Sequence, residues 1–202
     1  SLIAGLRYSA DRKTYDFTHR ENGVIDFEFN RATVGKLARQ TFKDYSGKIG
    51  VNFKPDDDTL IYVSVNRGIK GGGFGTPAFH PGDLSTIPFK KEILTDYEGG
   101  LKLTLFDRTS HFNLSAFYYD YKDYQTFELV ELSLAVRNKD AIIKGIEAEF
   151  NTRPIDGLFF QTFLTLLDSK VKGVVLPAGT VANTRVPQAP KLSVGALVRY
   201  AF

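Results

Sequence analysis

The chain has 202 residues and a net charge of +3, with 43% hydrophobic residues, 13% aromatic residues and no Cys, Met or Trp. Without Cys, disulfides, thiolate nucleophiles and sulfur-ligated metals are excluded together, and so slight a charge, with no standout Lys/Arg cluster, leaves no electrostatic footprint for nucleic acid. No uncharged apolar run reaches the about 18 residues of a transmembrane helix, which leaves membrane-spanning strands open because alternation dilutes their hydrophobicity.

No signal peptide opens the chain; residues 2–11 already read as a strand, so the sequence is expected to be a processed product or a piece of something longer. After a long connector at about 14–43, a second strand at 44–54 sets Tyr45, Gly47, Ile49, Val51 and Phe53 against Ser46, Lys48, Gly50 and Asn52. A tight turn is expected at 55–58, then a third strand at 59–67 and a connector at 68–92. The fourth and fifth strands form the clearest signal, a long antiparallel hairpin at 93–124. There Ile93, Tyr97, Leu101, Leu103 and Leu105 share one parity and Asp96, Glu98, Lys102 and Thr104 the other. Beyond a turn at 107–110, Phe112, Leu114, Ala116 and Tyr118 alternate with His111, Asn113, Ser115 and Tyr119. A connector at 125–139 leads to a sixth strand at 140–153, a turn at 154–157 and a seventh strand at 157–168. A last connector at 169–190 precedes the eighth strand at 192–202.

Side chains alternate faces along a strand, so each of these strands has one apolar and one polar side. They are longer than the ~5 to 6 residues usual in soluble sheets. Strands of about 10 residues, crowned with tyrosines, are the pattern of an outer-membrane barrel. Connector length is a second signal: the turns at 55–58, 107–110 and 154–157 are short and built from Pro, Asp, Ser and Gly, whereas every connector between them is long. Short turns on one rim and long loops on the other fit a membrane barrel with the short ones periplasmic. A soluble sandwich would explain the alternation but not the one-sided loops, and a lipocalin-like barrel would carry exposed charge where this chain is apolar. The expected fold is therefore all-β: an antiparallel up-and-down transmembrane β-barrel segment of about eight strands, belonging to a larger barrel, with no domain boundary in 1–202.

Four motifs follow one another along the chain: Arg-Gly-x-Lys-x-Gly-Gly-Phe at Arg67 to Phe74, Tyr-Glu-x-Gly-x-Lys at Tyr97 to Lys102, Ala-x-Phe-Tyr-x-Asp-Tyr at Ala116 to Tyr121, and Gly-x-Glu at Gly145 to Glu147. Together these segments resemble the barrel of TonB-dependent outer-membrane receptors of the ferric-siderophore class. The family's plug, its TonB-contacting box and its last strands have no counterpart here. The resemblance thus implies the middle-to-late third of a barrel of about 22 strands. It implies a receptor in the bacterial outer membrane that binds an iron–siderophore complex or similar scarce nutrient at its outer mouth. Uptake would be energised by the TonB complex through a plug domain not present in this chain. The alternatives are a passive porin-like channel and a structural barrel.

No catalytic residues, cofactor or metal are expected. Glu147 and Glu149 sit at a spacing that could serve glycoside hydrolysis, but charges of this kind are the rule on a water-facing lumen wall. Gly71 to Gly75 lacks the Gly-Lys-Ser/Thr of a phosphate loop and reads as a flexible loop start. His19, His80 and His111 are scattered. For an anionic, aromatic ligand the best-suited side chains on and beside the second long connector, at 68–92, are Arg67, Lys70, Phe74, Phe79, His80 and Phe89. Glu98, Lys102, Asn113, Glu147, Glu149 and Arg199 are expected to face the lumen, and Leu101, Leu103, Leu114, Ile146 and Val198 the lipid.

Overall fold

A computed structural model describes residues 1–75, 84–130 and 133–202. In chain order the elements are β1 (Leu2–Thr14), β2 (Phe17–Glu21), β3 (Val24–Phe29), a single helical turn α1 (Arg31–Val34), β4 (Arg39–Phe53), β5 (Thr59–Lys70) and β6 (Gly73–Phe74). There follow β7 (Pro88–Phe89), β8 (Glu92–Leu105), β9 (Ser110–Val130), β10 (Ser133–Thr152), β11 (Leu158–Val175), β12 (Val181–Thr184) and β13 (Leu192–Tyr200).

Eight of these are the expected long strands, and they pair in sequence: β1-β4-β5-β8-β9-β10-β11, with β13 completing the antiparallel order against β11. The outer strands β1 and β13 bond only to β4 and β11 respectively, so the sheet is open. The short turns share a rim. Asp58 accepts from the Thr104 backbone and lies 3.4 Å from the Arg108 guanidinium, and the Arg153 N–H donates to Thr109. The middle turn sits at 106–109 rather than 107–110, because Ser110 already pairs with Leu105 and Thr152.

Registers run without a slip through most of the sheet, so one face collects the apolar set. Leu6, Ile49, Val51, Val63, Tyr97, Leu114, Ile146, Leu164, Val194 and Val198 lie on it, and each is more than a third exposed. Such an apolar surface, spread over eight strands, has no place against water. What little core exists lies at the other rim, where the loops are.

Those loops correct the expectation of structureless connectors. The stretch at 14–43 holds the β2–β3 hairpin, turning at Asn22-Gly23 with φ of 49° and 81°, the positive pair a type I′ turn demands. Asn30 then caps α1, accepting from the Ala32 and Thr33 backbone while Thr33 reaches back to the Asn30 N–H. Phe29, Ala38 and Ile87 form a small buried cluster with Tyr15, Val34, Phe74 and Leu84 packed on it. The stretches at 125–130 and 133–139 are strand rather than loop: β9 and β10 stay paired from Ser110↔Thr152 up to Val130↔Ser133. A bulge interrupts them where Lys122 and Asp123 oppose Asp140, Asp123 taking φ 55°. The extra residue sharpens the local twist, and above it the two strands continue as a two-stranded ribbon, since β8 pairs with β9 only as far as Lys122. β11 likewise extends to Val175 and receives β12.

Candidate functional site

The face opposite the apolar one is polar, and its side chains bond to one another across strands. Tyr62 on β5 donates to Glu98 on β8 at 2.5 Å, and Asn66 donates to Asp96 at 2.7 Å. Lys102 on β8 is opposite Asn113 on β9, which is opposite Glu149 on β10. Glu149 accepts from Asn151 at 2.9 Å, from Gln161 at 3.0 Å and from Asn113 at 3.5 Å. Glu147 shares this face and is exposed. Arg153, just past the end of β10, and Arg199 on β13 lie 5.1 and 5.6 Å from the centre of the Phe159 ring.

Three aromatic residues on this face stand directly opposite glycines: Tyr62 opposite Gly100, Phe117 opposite Gly145 and Phe163 opposite Gly195. A β-carbon built on any of the three would fall inside the facing ring's contact distance, at 2.7 Å from Phe117 in the case of Gly145. Glycine here provides space, so that a large ring lies across the neighbouring strand and covers backbone that would otherwise be bare. Farther up β9 the rings continue: Phe117 stacks on Tyr119 with centroids 4.6 Å apart, and Tyr121 meets Tyr124 edge-on at 5.4 Å. This ladder of rings climbs towards the loop rim.

At that rim the strands are held by charge. The β4–β5 ladder stops at Gly47↔Arg67, and beyond it Asp44 bridges the gap. Its carboxylate takes the Arg67 guanidinium at 2.9 Å and the Lys91 ammonium at 2.6 Å, while Arg67 also donates to the Tyr45 carbonyl and stacks over the Tyr45 ring. The two cations hold the Asp44 carboxyl well below the usual carboxylate range. A second clasp is amide-based: Asn138 accepts from the Lys90 N–H at 2.8 Å and donates to the Lys90 carbonyl at 3.1 Å, as a strand neighbour would. Gln125 adds bonds to the Gly71 and Lys90 carbonyls.

The whole chain, residues 1–202, matches the family model for the β-barrel of TonB-dependent receptors. The chain belongs to the TonB-dependent receptor family. These are transport receptors of the bacterial outer membrane, and the barrel in this segment is not closed. Among solved structures it is similar to the ferric yersiniabactin uptake receptor FyuA from Yersinia pestis, with 20% identity and a TM-score of 0.77 over 98% of this chain and 28% of that one. The copper transporter OprC gives 18% identity and 0.73 over 100% of this chain and 29% of its own. The siderophore receptor PiuA from Acinetobacter baumannii gives 16% and 0.70 over 98% and 28%. The chain therefore spans under a third of these receptors, and at such identities the likeness carries fold alone.

Within this TonB-dependent receptor segment, Glu98, Lys102, Asn113, Glu147, Glu149 and Arg199 share the polar face, while Leu101, Leu103, Leu114, Ile146 and Val198 share the apolar one. The proposed ligand contacts are more dispersed. Arg67 is bound to Asp44. Lys70 lies 3.9 Å from Glu92 with 62% of its side chain exposed. Phe74 stacks on Tyr15 at 5.1 Å in the loop cluster, and Phe89 pairs with Gly73. Phe79 and His80 lie outside the described residues. Within 71–75, Gly72 and Gly73 owe their identity to crowding, since β-carbons there would meet Phe42 and Phe89. The aromatic ladder and the Asp44 clasp went unpredicted. For the ladder, the same-parity run Phe117, Tyr119, Tyr121 was a usable signal. For the clasp there was none, because its members lie 23 or more residues apart and meet only where one ladder ends.

Proposed function

We propose that this chain is a stretch of barrel wall, 1–202 forming one part of a larger barrel, in an outer-membrane receptor that imports a scarce metal chelate, an iron–siderophore complex or a similar nutrient. The observation that carries this reading is the two-faced eight-strand sheet, matched to the receptor barrel along its full length. The apolar face meets lipid; the polar face lines the lumen, where a plug domain coupled to the TonB complex would sit. The chain's similarity to the ferric yersiniabactin uptake receptor and the copper transporter supports metal cargo as the class. At the outer mouth, Lys70, with 62% of its side chain exposed, is the cation we assign to an anionic chelate, with Arg67, Phe74, Phe79, His80 and Phe89 as the further candidates by chemistry.

The test is uptake of radiolabelled iron chelates by the source bacterium with the full-length gene intact, deleted or restored. The reading expects uptake of at least one chelate to require both the gene and TonB. Gene-dependent uptake that persists without TonB would instead make the protein a passive channel.

A further inference from the structure

The basic residues of this chain are scattered in sequence, yet the register gathers an unbalanced group of them on one outward stretch of the loop rim. Arg12 on β1 and Lys43 on β4 share the face of Tyr8 and Tyr45, because Tyr8↔Tyr45, Ala10↔Lys43 and Arg12↔Thr41 follow one another without a slip. Tyr8 and Tyr45 are 68% and 52% exposed, as rings at a membrane interface are. At ~3.4 Å per residue, Lys43 lies about 7 Å and Arg12 about 14 Å beyond that pair along the strands. Together with Lys90, Lys91, Thr41 and Asp123 they line one concavity of about 630 Å³.

The acids nearby are already engaged. Asp123 lies 3.6 Å from Lys90, and Asp44 holds Lys91 and Arg67. Arg12 and Lys43 have no acidic partner among the described residues. Over β9 to β11 the rim is balanced instead: Lys122 sits between Asp120 and Asp140 at 3.9 and 3.3 Å, and Lys144 lies 3.7 Å from Asp168.

We propose that this concavity binds the phosphate of an anionic lipid in the outer leaflet, with Arg12 and Lys43 as its direct contacts and Lys90 at its edge. The inference rests on the reading that the apolar face meets lipid. A phosphomonoester presents two charges and several acceptor oxygens to converging cations, which Arg answers with its fork and Lys as a point charge. Juxtamembrane cations of this kind attract anionic headgroups. The site lies directly above Leu6 and Ile49, both exposed, so the lipid's acyl chains would run down the apolar face beneath its phosphate.

The experiment uses the full-length receptor in detergent, with bound lipid counted by native mass spectrometry after incubation with phosphatidic acid or the matched diacylglycerol. R12Q/K43Q should retain phosphatidic acid at least fivefold less than wild type, whereas R12K/K43R and the control K122Q/K144Q should retain it as wild type does. Millimolar inorganic phosphate should fail to displace it. Equal retention by R12Q/K43Q overturns the site, and displacement by free phosphate overturns its lipid source. Retention of neither lipid by the wild type overturns the lipid-facing assignment beneath it. If R12Q/K43Q does not fold, salt decides on the wild type: retention should fall severalfold between 50 and 500 mM NaCl, and indifference to salt overturns the proposal.

Discussion

At the level of single residues, neighbours in sequence are asked to do opposite things. Leu101 and Lys102 are adjacent on β8, yet Leu101 is opposite Leu114 and Lys102 opposite Asn113. A charge on the lipid face near the midplane costs about 2 to 4 kcal/mol, while changes on the lumen face mainly alter selectivity. Leu101→Arg should therefore sharply reduce the yield of heat-modifiable, folded full-length receptor, and Lys102→Leu should leave it near wild type; equal losses would contradict the face assignment. Gly145 offers a subtler case, since Phe117 occupies the space a side chain would need. Gly145→Val should displace the ring and lower stability to urea by about 1 to 3 kcal/mol, as overpacking does. A neutral outcome would contradict this crowding, because the Leu166 carbonyl stands 2.5 Å from that β-carbon beside the ring. Asp44 carries the pH argument. It lies on the loop-rim side of Tyr45, beyond the spanning part of β4, and its carboxyl is depressed chiefly by the Arg67 and Lys91 hydrogen bonds. A depressed acid contributes stability that is complete well above its unfolded pKa of about 3.9 and is lost progressively as pH falls from there through the lower folded value. Asp44→Asn should thus destabilise by about 1 to 3 kcal/mol, with the deficit nearly intact at pH 5 and shrinking steadily as pH falls below about 4. A deficit that vanished by pH 5 would refute the pairing.

Among the elements, those with strict alternation were legible and those made by turn chemistry or by long-range meeting were less so. The eight long strands announced themselves because one face is uniformly apolar, and a slip of one residue would have inverted every side chain. The β2–β3 hairpin was equally legible in principle: Asn22-Gly23 between two short alternating runs is the strongest local hairpin signal, outweighed here by the absence of a long apolar stripe. The paired course of 125–139 was hidden for a different reason. Its residues mix charge and apolarity without a clean period, and pairing is imposed by continuation of the β9–β10 ladder past the bulge at Asp123. The clasp around Asn138 could not be read at all, because its partner is the backbone of Lys90, 48 residues away. Asn138→Ala should free the base of the ribbon. In limited proteolysis of the intact receptor, cleavage near 125–139 should accelerate severalfold while the rest of the barrel stays resistant. Unchanged cleavage would show that strand pairing alone holds the ribbon.

For the molecule as a whole, the two unpaired edges are the governing fact. β1 and β13 each leave a row of backbone N–H and C=O groups that hydrocarbon cannot satisfy, so further strands must flank this sheet in the membrane. This explains why an eight-strand count did not yield a closed small barrel: the polar face carries Tyr62, Phe117, Phe163, Glu147 and Glu149, which a narrow interior has no room for. The central claim is that lipid lies on one face and water on the other, and it can be tested directly because the chain has no Cys. A nitroxide placed singly at positions 101 to 104 of the full-length receptor, through Leu101→Cys, Lys102→Cys, Leu103→Cys and Thr104→Cys, reports collisions with lipid-soluble oxygen and with a water-soluble nickel chelate. Strict alternation is expected, oxygen dominating at 101 and 103 and the nickel chelate at 102 and 104. Equal accessibility at all four positions, or the opposite alternation, would contradict it.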